Sequence, residues 1–307
     1  MSTRRAILSL GTNTVRLLIV EEKSDGVLVQ LEHHAVGTRL GEGLSEQGAL
    51  SAAAMRRTLD AASTFTATVR NQKAALICIA TSAMRRADNA DEFAEKLRAV
   101  TGVPLRVIDG DEEAAASFRG ATYDDGPSAR RVAVLDIGGG STECAVGFRR
   151  RIERSLSLEV GTVRLTERFP DLAGGAPGAP ARNAAQRAHV VAGTLIAPLA
   201  AFAPVDELRA VAGTPTTLGA IIANSDVDSV RGFILARDAV ATLRDRLLDS
   251  SLEERRAIPG MLAQRADVLV AGCIILLESM EYLARSTARI ETNDLLLGQL
   301  LAPPPRV

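Results

Sequence analysis

The chain has 307 residues, 47% of them hydrophobic and 24% charged, and a formal net charge of -1. It is long enough for two domains of ordinary size, too apolar to stay disordered, and too nearly neutral to attract nucleic acid or an anionic membrane by its overall field. Aromatic residues make up only 3% and tryptophan is absent, which argues against a stacking platform for single-stranded nucleic acid.

Ala6–Leu10 and Val15–Glu21 are β-rich runs joined by Gly-Thr-Asn-Thr, which predicts a hairpin turning at Gly11. The two arginines before the first run imitate a signal peptide, but Gly11, Asn13 and Arg16 interrupt the apolar stretch and no small-x-small cleavage site follows. The segment therefore reads as a strand of a cytosolic protein. A strand over Val27–His33, a helix over Leu50–Arg70, a buried strand over Ala74–Ala80 and a helix over Ala90–Val100 are expected next. Leu105–Ile108 is a strand running into Asp109, Gly110 and Asp111, a turn that opens a helix near Glu112.

After the polar loop Tyr123–Ala129 the pattern restarts, with strands over Val132–Asp136, Thr142–Gly147 and near Ser155–Glu159. The stretches AILSLGTNT from Ala6 and AVLDIGGGST from Ala133 are near copies 127 positions apart (133 minus 6), one carrying Ser9 where the other carries Asp136. A hairpin recurring at that distance predicts a duplicated α/β domain, with the boundary near Asp125. Farther on, Ala173–Arg182 reads as a surface loop rich in Gly, Ala and Pro, and Val268–Arg285 as a helix apolar on one face. Pro303–Pro305 cannot continue a helix. Cys78, Cys144 and Cys273 sit in apolar runs without metal-ligand spacing and read as buried thiols, and His33, His34 and His189 are too scattered for a zinc site.

Two stretches have the chemistry of an anion site. Gly138, Gly139 and Gly140 follow a strand ending near Asp136, where backbone with φ > 0 and bare amides can approach a phosphate. A glycine-rich hairpin without a ligand is the competing reading. The register is neither that of a Walker loop nor that of a dinucleotide fingerprint. Gly213-Thr214-Pro215-Thr216-Thr217 stands between an aliphatic run, Leu208–Ala212, and an apolar stretch, and offers either an oxyanion cradle or a cluster of helix caps.

The set LGTNTVRLLIV, RLGEGL, ATSAMRRADN, VIDGDEEAAASFRG, VLDIGGGSTE, LEVGTVRLTERF and AGTPTTLGA resembles, in order and along most of the chain, the exopolyphosphatase and guanosine pentaphosphate phosphatase family in its short two-domain form. The resemblance implies an α/β fold of two duplicated RNase H-like domains, of the actin, Hsp70 and sugar-kinase type, with a phosphate-binding cleft between them. It divides the chain into residues 1–125 and 126–307, the last helix being able to pack back on the first domain. It assigns Glu113 as the general base that activates water, although Glu112 and Glu113 could equally be ordinary first-turn acids. Asp136 and Glu143 match acidic positions that hold magnesium, or manganese. Gly11, Thr12, Asn13, Arg39, Arg85, Gly138, Gly139, Gly140, Ser141, Gly213, Thr214 and Arg265 fall at phosphate-binding positions.

The chain departs from the family at Ser9, where Asp is usual, and at Leu296, where ETNDLLLG puts leucine in the place of an arginine. Two functions follow. One is an exopolyphosphatase releasing terminal orthophosphate from polyphosphate, with pppGpp as a second substrate. The other is an impaired relative that binds polyphosphate or a guanosine alarmone as a regulator. No nucleic-acid or membrane partner is expected, and a homodimer is left open.

Overall fold

Hairpins head both halves of the chain, as the repeat predicts. The structure, a computed structural model, describes residues 3–126, 130–148 and 150–302. Strands β1 (Thr3–Leu10), β2 (Thr14–Glu22), β3 (Leu28–Gly37), β4 (Ala75–Ala80) and β5 (Leu105–Val107) form a sheet in the order β3-β2-β1-β4-β5. The second half supplies β6 (Val132–Ile137), β7 (Thr142–Phe148), β8 (Arg151–Leu158), β9 (Glu207–Val211), β10 (Ile234–Ala236) and β11 (Thr287–Ile290), in the order β10-β11-β9-β6-β7-β8. Reading β6, β7, β8, β9 and β11 as counterparts of β1 to β5 makes the two orders the same, with the first three strands antiparallel and the next two parallel to the first. This is the RNase H-like arrangement in duplicate.

The central strands are apolar on consecutive residues because both of their faces are covered. Ala6, Ile7, Leu8 and Leu10 of β1 and Val132 to Leu135 of β6 are all buried. The edge strand β3 is exposed along most of its length. Several expected boundaries move. The Gly-Ala-Pro stretch is not wholly a loop: a helix runs from Ala179 to Ile196 with a proline in its first turn, where a missing N–H costs nothing. The helix over Leu269–Tyr282 is buried on nearly every side rather than one, wrapped by the helices Thr162–Arg168, Ala179–Ile196, Gly213–Ala223 and Arg237–Leu248. Its cysteine, Cys273, is buried like Cys78 and Cys144. Pro303–Pro305 and part of the Tyr123–Ala129 loop lie outside the described residues.

Two helices join the halves. The helix Gly110–Ala121 presents Ala114, Phe118 and Ala121 to Val132, Val134 and Ala145 of the second sheet. Its other side meets the last helix, Leu295–Leu301, whose leucines pack on Ile7, Leu18, Val20 and Ile79 of the first sheet. Among the described residues no helix is long and apolar enough to cross a membrane.

Candidate active site between the two hairpin turns

The β1–β2 and β6–β7 turns close in the same way. The Gly11 N–H donates to Thr14 O and the Gly138 N–H to Ser141 O, both at 3.0 Å, 127 residues apart. The turns face one another: a Cβ on Gly140 would lie 2.6 Å from Thr12 Oγ1 and from Ser82 Oγ, and one on Gly139 would lie 3.1 Å from Thr12 Cβ. Neither these glycines nor Gly138 has the positive φ expected from the sequence. The close approach of Thr12, Asn13 and Ser82 to the backbone of Gly139 and Gly140 is what requires them. Behind the second turn, the Thr162 and Val163 N–H groups donate to Gly138 O and Gly139 O at 2.9 Å, fixing its peptides.

A cavity opens between the turns. It is lined by Ser9, Gly11, Thr12, Asn13, Ser82, Glu113, Asp136, Gly138, Gly139, Gly140, Ser141, Gly213 and Arg265, so most of the expected site residues are brought together. Glu113 reaches it from the first turn of the Gly110–Ala121 helix, which is capped by the Asp109 side chain accepting from the Glu112 N–H at 2.8 Å. Glu113 is 6% exposed, and Arg85 Nη1 donates to its Oε2 at 2.8 Å while also holding Ile108 O at 2.9 Å. Burial pushes the Glu113 carboxyl up to about 7 against the pull of Arg85. Arg85 Nη2 makes no hydrogen bond but lies 4.0 Å from Glu143 Oε1, so this guanidinium stands between the two buried glutamates, behind the cavity wall.

Asp136 and Glu143 are a directly opposed pair across the second hairpin. Asp136 Oδ2 accepts from Ser117 Oγ at 2.6 Å, and Glu143 Oε1 accepts from Ser157 Oγ at 2.7 Å. Glu143 is buried, not an exposed strand residue, and its Oε2 has no partner. Burial raises Asp136 to about 6, and burial together with the charges of Glu113 and Asp136 raises Glu143 well above the usual carboxylate range. Among the described residues no three acidic, His or Cys side chains converge tightly enough to hold an ion by themselves. Two mutually repelling carboxylates with an orphan oxygen suit a cation that keeps waters and takes substrate oxygens as its other ligands.

Arg265 closes the opposite wall. Its Nε is buried without a partner and Nη2 lies 3.5 Å from Thr14 Oγ1. The guanidinium stands directly over Gly213, where a Cβ would lie 1.9 Å from Nη2, and burial lowers Arg265 to about 10. Gly213 begins the helix Gly213–Ala223, which has no side-chain cap. Thr216 and Thr217 instead bond back to carbonyls of residues 212 and 213, which leaves the helix N-terminal amides for an anion.

Three expected phosphate ligands lie off the cavity lining, Arg85 being turned onto Glu113 and the other two placed elsewhere. Thr214 lies outside the cavity lining, its hydroxyl donating to Ile137 O at 3.3 Å and its methyl packed over Gly272. Arg39 has φ 52°, its N–H donates to Asn13 O at 2.9 Å, and its guanidinium is paired with Asp267 at 2.6 Å. Its backbone braces the first turn while its side chain ties the two halves together. Leu296 is buried in the apolar cluster around Ile7 and Leu18.

The sequence reading passed over Arg16, Ser82, Ser117 and Asp294. Arg16 lines the cavity opposite Ser9 in the hairpin, as Glu143 stands opposite Asp136. The repeat itself carried that signal, since both pairs are seven residues apart (16 minus 9, 143 minus 136). Arg16 also lines a second cavity of about 490 Å³ that shares Thr14, Ala212, Gly213 and Arg265 with the first.

A duplicated RNase H-like fold with a phosphate-sized cavity between two glycine turns, a buried acid on one side and an unpaired arginine on the other, defines a protein built to handle anions. The profile of the Ppx/GppA phosphatase family matches residues 19–296, and the chain belongs to that family. It is 32% identical to Exopolyphosphatase 2 of Mycobacterium tuberculosis over 90% of this chain and 89% of that protein. It is 30% identical to the bifunctional 3-dehydroquinate synthase/phosphatase of Fusobacterium nucleatum and to the guanosine-5'-triphosphate,3'-diphosphate pyrophosphatase of Vibrio atlanticus, covering 97% and 91% of this chain. The chain spans only 46% and 54% of those two proteins. Among solved structures, an exopolyphosphatase from Cytophaga hutchinsonii superposes with a TM-score of 0.87 at 26% identity, covering 97% of this chain and 96% of that one. The Aquifex aeolicus family member gives 0.80 at 28%, covering 98% and 97%.

Proposed function

We propose that the chain is a magnesium-dependent phosphohydrolase that releases terminal orthophosphate from inorganic polyphosphate, with the 5'-phosphate of pppGpp as a second substrate. The observation that carries this reading is Glu113: a buried carboxyl near neutral pKa, oriented by Arg85, on the wall of a cavity that also presents glycine amides, hydroxyls, Asp136 and arginine. The names borne by the relatives, exopolyphosphatase and pppGpp pyrophosphatase, support the same chemistry.

In the proposed reaction the terminal phosphoryl group lies between the two turns, with the Gly11–Asn13 and Gly138–Ser141 peptides and Arg265 around its oxygens. Glu113 removes a proton from water as the water oxygen bonds to the terminal phosphorus. The anhydride P–O bond to the rest of the chain breaks, the shortened polyphosphate leaves with the bond electrons, and the proton passes to the released phosphate. Asp136 and Glu143 are the residues that would hold magnesium. When bound, the ion supplies positive charge for the phosphoryl oxygens and for the repelling carboxylates.

The test is orthophosphate release from tripolyphosphate, long polyphosphate and pppGpp, with and without magnesium. Glu113→Gln should lower kcat by about 10²–10⁴-fold, the range for loss of a general base, while substrate binding is kept. Unchanged turnover in that variant would remove Glu113 from the reaction, and no release by the native chain would remove the reaction itself.

A further inference from the structure

At one position the two hairpins carry different chemistry. The second has Asp136 opposite Glu143, and the first has Ser9 opposite Arg16 at the same two places. Directly opposed residues of an antiparallel pair point to the same side of the sheet, so a carboxylate at residue 9 would stand beside the Arg16 guanidinium. Serine leaves that guanidinium without an acid on its own hairpin.

The acid arrives from the far end of the chain. Asp294 Oδ2 accepts from Arg16 Nη2 at 2.6 Å across 278 residues of sequence, with Asp294 3% exposed. Its other oxygen, Oδ1, accepts from the Leu296 N–H at 3.1 Å and caps the last helix, so the carboxylate is oriented from both sides. Its backbone is fixed as closely: a Cβ on Gly120, in the helix that carries Glu113, would lie 2.0 Å from Asp294 O. Arg16, held in this way, lines both the cavity between the turns and the adjoining larger one, whereas Asp294 lines only the larger. The charge of Asp294 also reaches the second hairpin, where it raises Asp136.

We propose that Asp294 is a positioning residue for the phosphate site: it supplies from the last helix the carboxylate that Ser9 withholds, and so fixes Arg16 against the cavity where the anionic substrate lies. The inference rests on the phosphohydrolase reading for its substrate. Its geometry stands on the Ser9, Arg16 and Asp294 arrangement alone. In this light Ser9 marks a relocated carboxylate and not a lost one.

The experiment is a cycle of Asp294→Asn, Ser9→Asp and the double variant, with tripolyphosphate as probe. Asparagine still caps a helix, so Asp294→Asn keeps the start of the last helix while removing the charge. KM, and the dissociation constant measured by calorimetry, should rise about tenfold, as expected for loss of one charged hydrogen bond, with kcat within about threefold of native. The double variant should return both constants to within about threefold of native, because an acid at residue 9 reaches Arg16 from the same hairpin. A role confined to fastening the last helix predicts the opposite: stability falls in both variants, and Ser9→Asp rescues nothing. Arg16→Lys, which breaks the contact from the other side and leaves the helix in place, should show the same rise in KM. Native affinity in Asp294→Asn or Arg16→Lys, or an unrescued double variant, overturns the proposal. Calorimetry needs no turnover, so a native chain that releases no phosphate would sink the phosphohydrolase reading while leaving this one to be decided by affinity.

Discussion

Glu113 couples the chemistry of the site to the stability of the fold. Burial holds its carboxyl at about 7, above the ordinary value of 4.5, so the folded chain keeps a proton that the unfolded chain releases between those limits. The contribution of this group is fully present below about pH 4.5 and is lost as pH rises through about 7. Glu113→Gln removes that loss. In metal-free buffer its melting temperature should exceed that of the native chain by more at pH 8 than at pH 4, and an equal difference at the two pH values would show that Glu113 does not titrate across this window. The repeat and the motifs together place the glycine turns and Asp136 at the cavity, and the motif alone places Glu113 there. Arg39 and Thr214 stand off the cavity lining because a motif fixes where the backbone goes and leaves open what the side chain meets. Asp267, which takes the Arg39 guanidinium, lies 228 residues away (267 minus 39).

Among the secondary-structure elements, the contact between the Gly110–Ala121 and Leu295–Leu301 helices sets the position of the acid. A Cβ on Gly298 would lie 1.8 Å from Ala116 O, so the two helices approach backbone to backbone at this point. Gly298→Ala must push the helices apart or bend one of them, which costs about 1–3 kcal/mol in a close-packed interior. Gly175 has open space around the place of its Cβ and no positive φ, so Gly175→Ala serves as the control and should stay within about 0.5 kcal/mol of native. Urea unfolding midpoints measure both, and a Gly298→Ala midpoint equal to that of the control would mean the interface yields freely. Strand and helix order could be read from periodicity and turn residues, down to the start of the helix behind Asp109. The resemblance lets the last helix pack back on the first domain, but nothing local in GDEEAAASFRGA or LLLGQLL says that these two segments touch.

At the scale of the molecule, the duplicated sheets invite the expectation of two units that unfold independently, as halves joined by a modest interface commonly do. The packing argues otherwise. The Gly110–Ala121 helix follows the first sheet in the chain but buries Ala114, Phe118 and Ala121 against the second, and the Leu295–Leu301 helix follows the second but buries its leucines against the first. Each half thus lends the other a piece of apolar core, and Arg16–Asp294 and Arg39–Asp267 add charged contacts across the divide. Separating the halves would expose both clusters at once, which couples the unfolding of one to that of the other. Thermal unfolding should therefore be one transition, with a calorimetric to van't Hoff enthalpy ratio of about 1. Two tyrosines permit a second check, because Tyr123 accepts the Leu28 N–H at the edge of the first sheet while Tyr282 ends the buried helix of the second half. Their absorbance should change at the same temperature as the far-ultraviolet circular dichroism, including in Tyr282→Phe, which isolates the signal of Tyr123. A separate, earlier transition at Tyr123 would show that the exchanged helices are docked on, not built into, the opposite cores, and that the cleft can open without unfolding the chain.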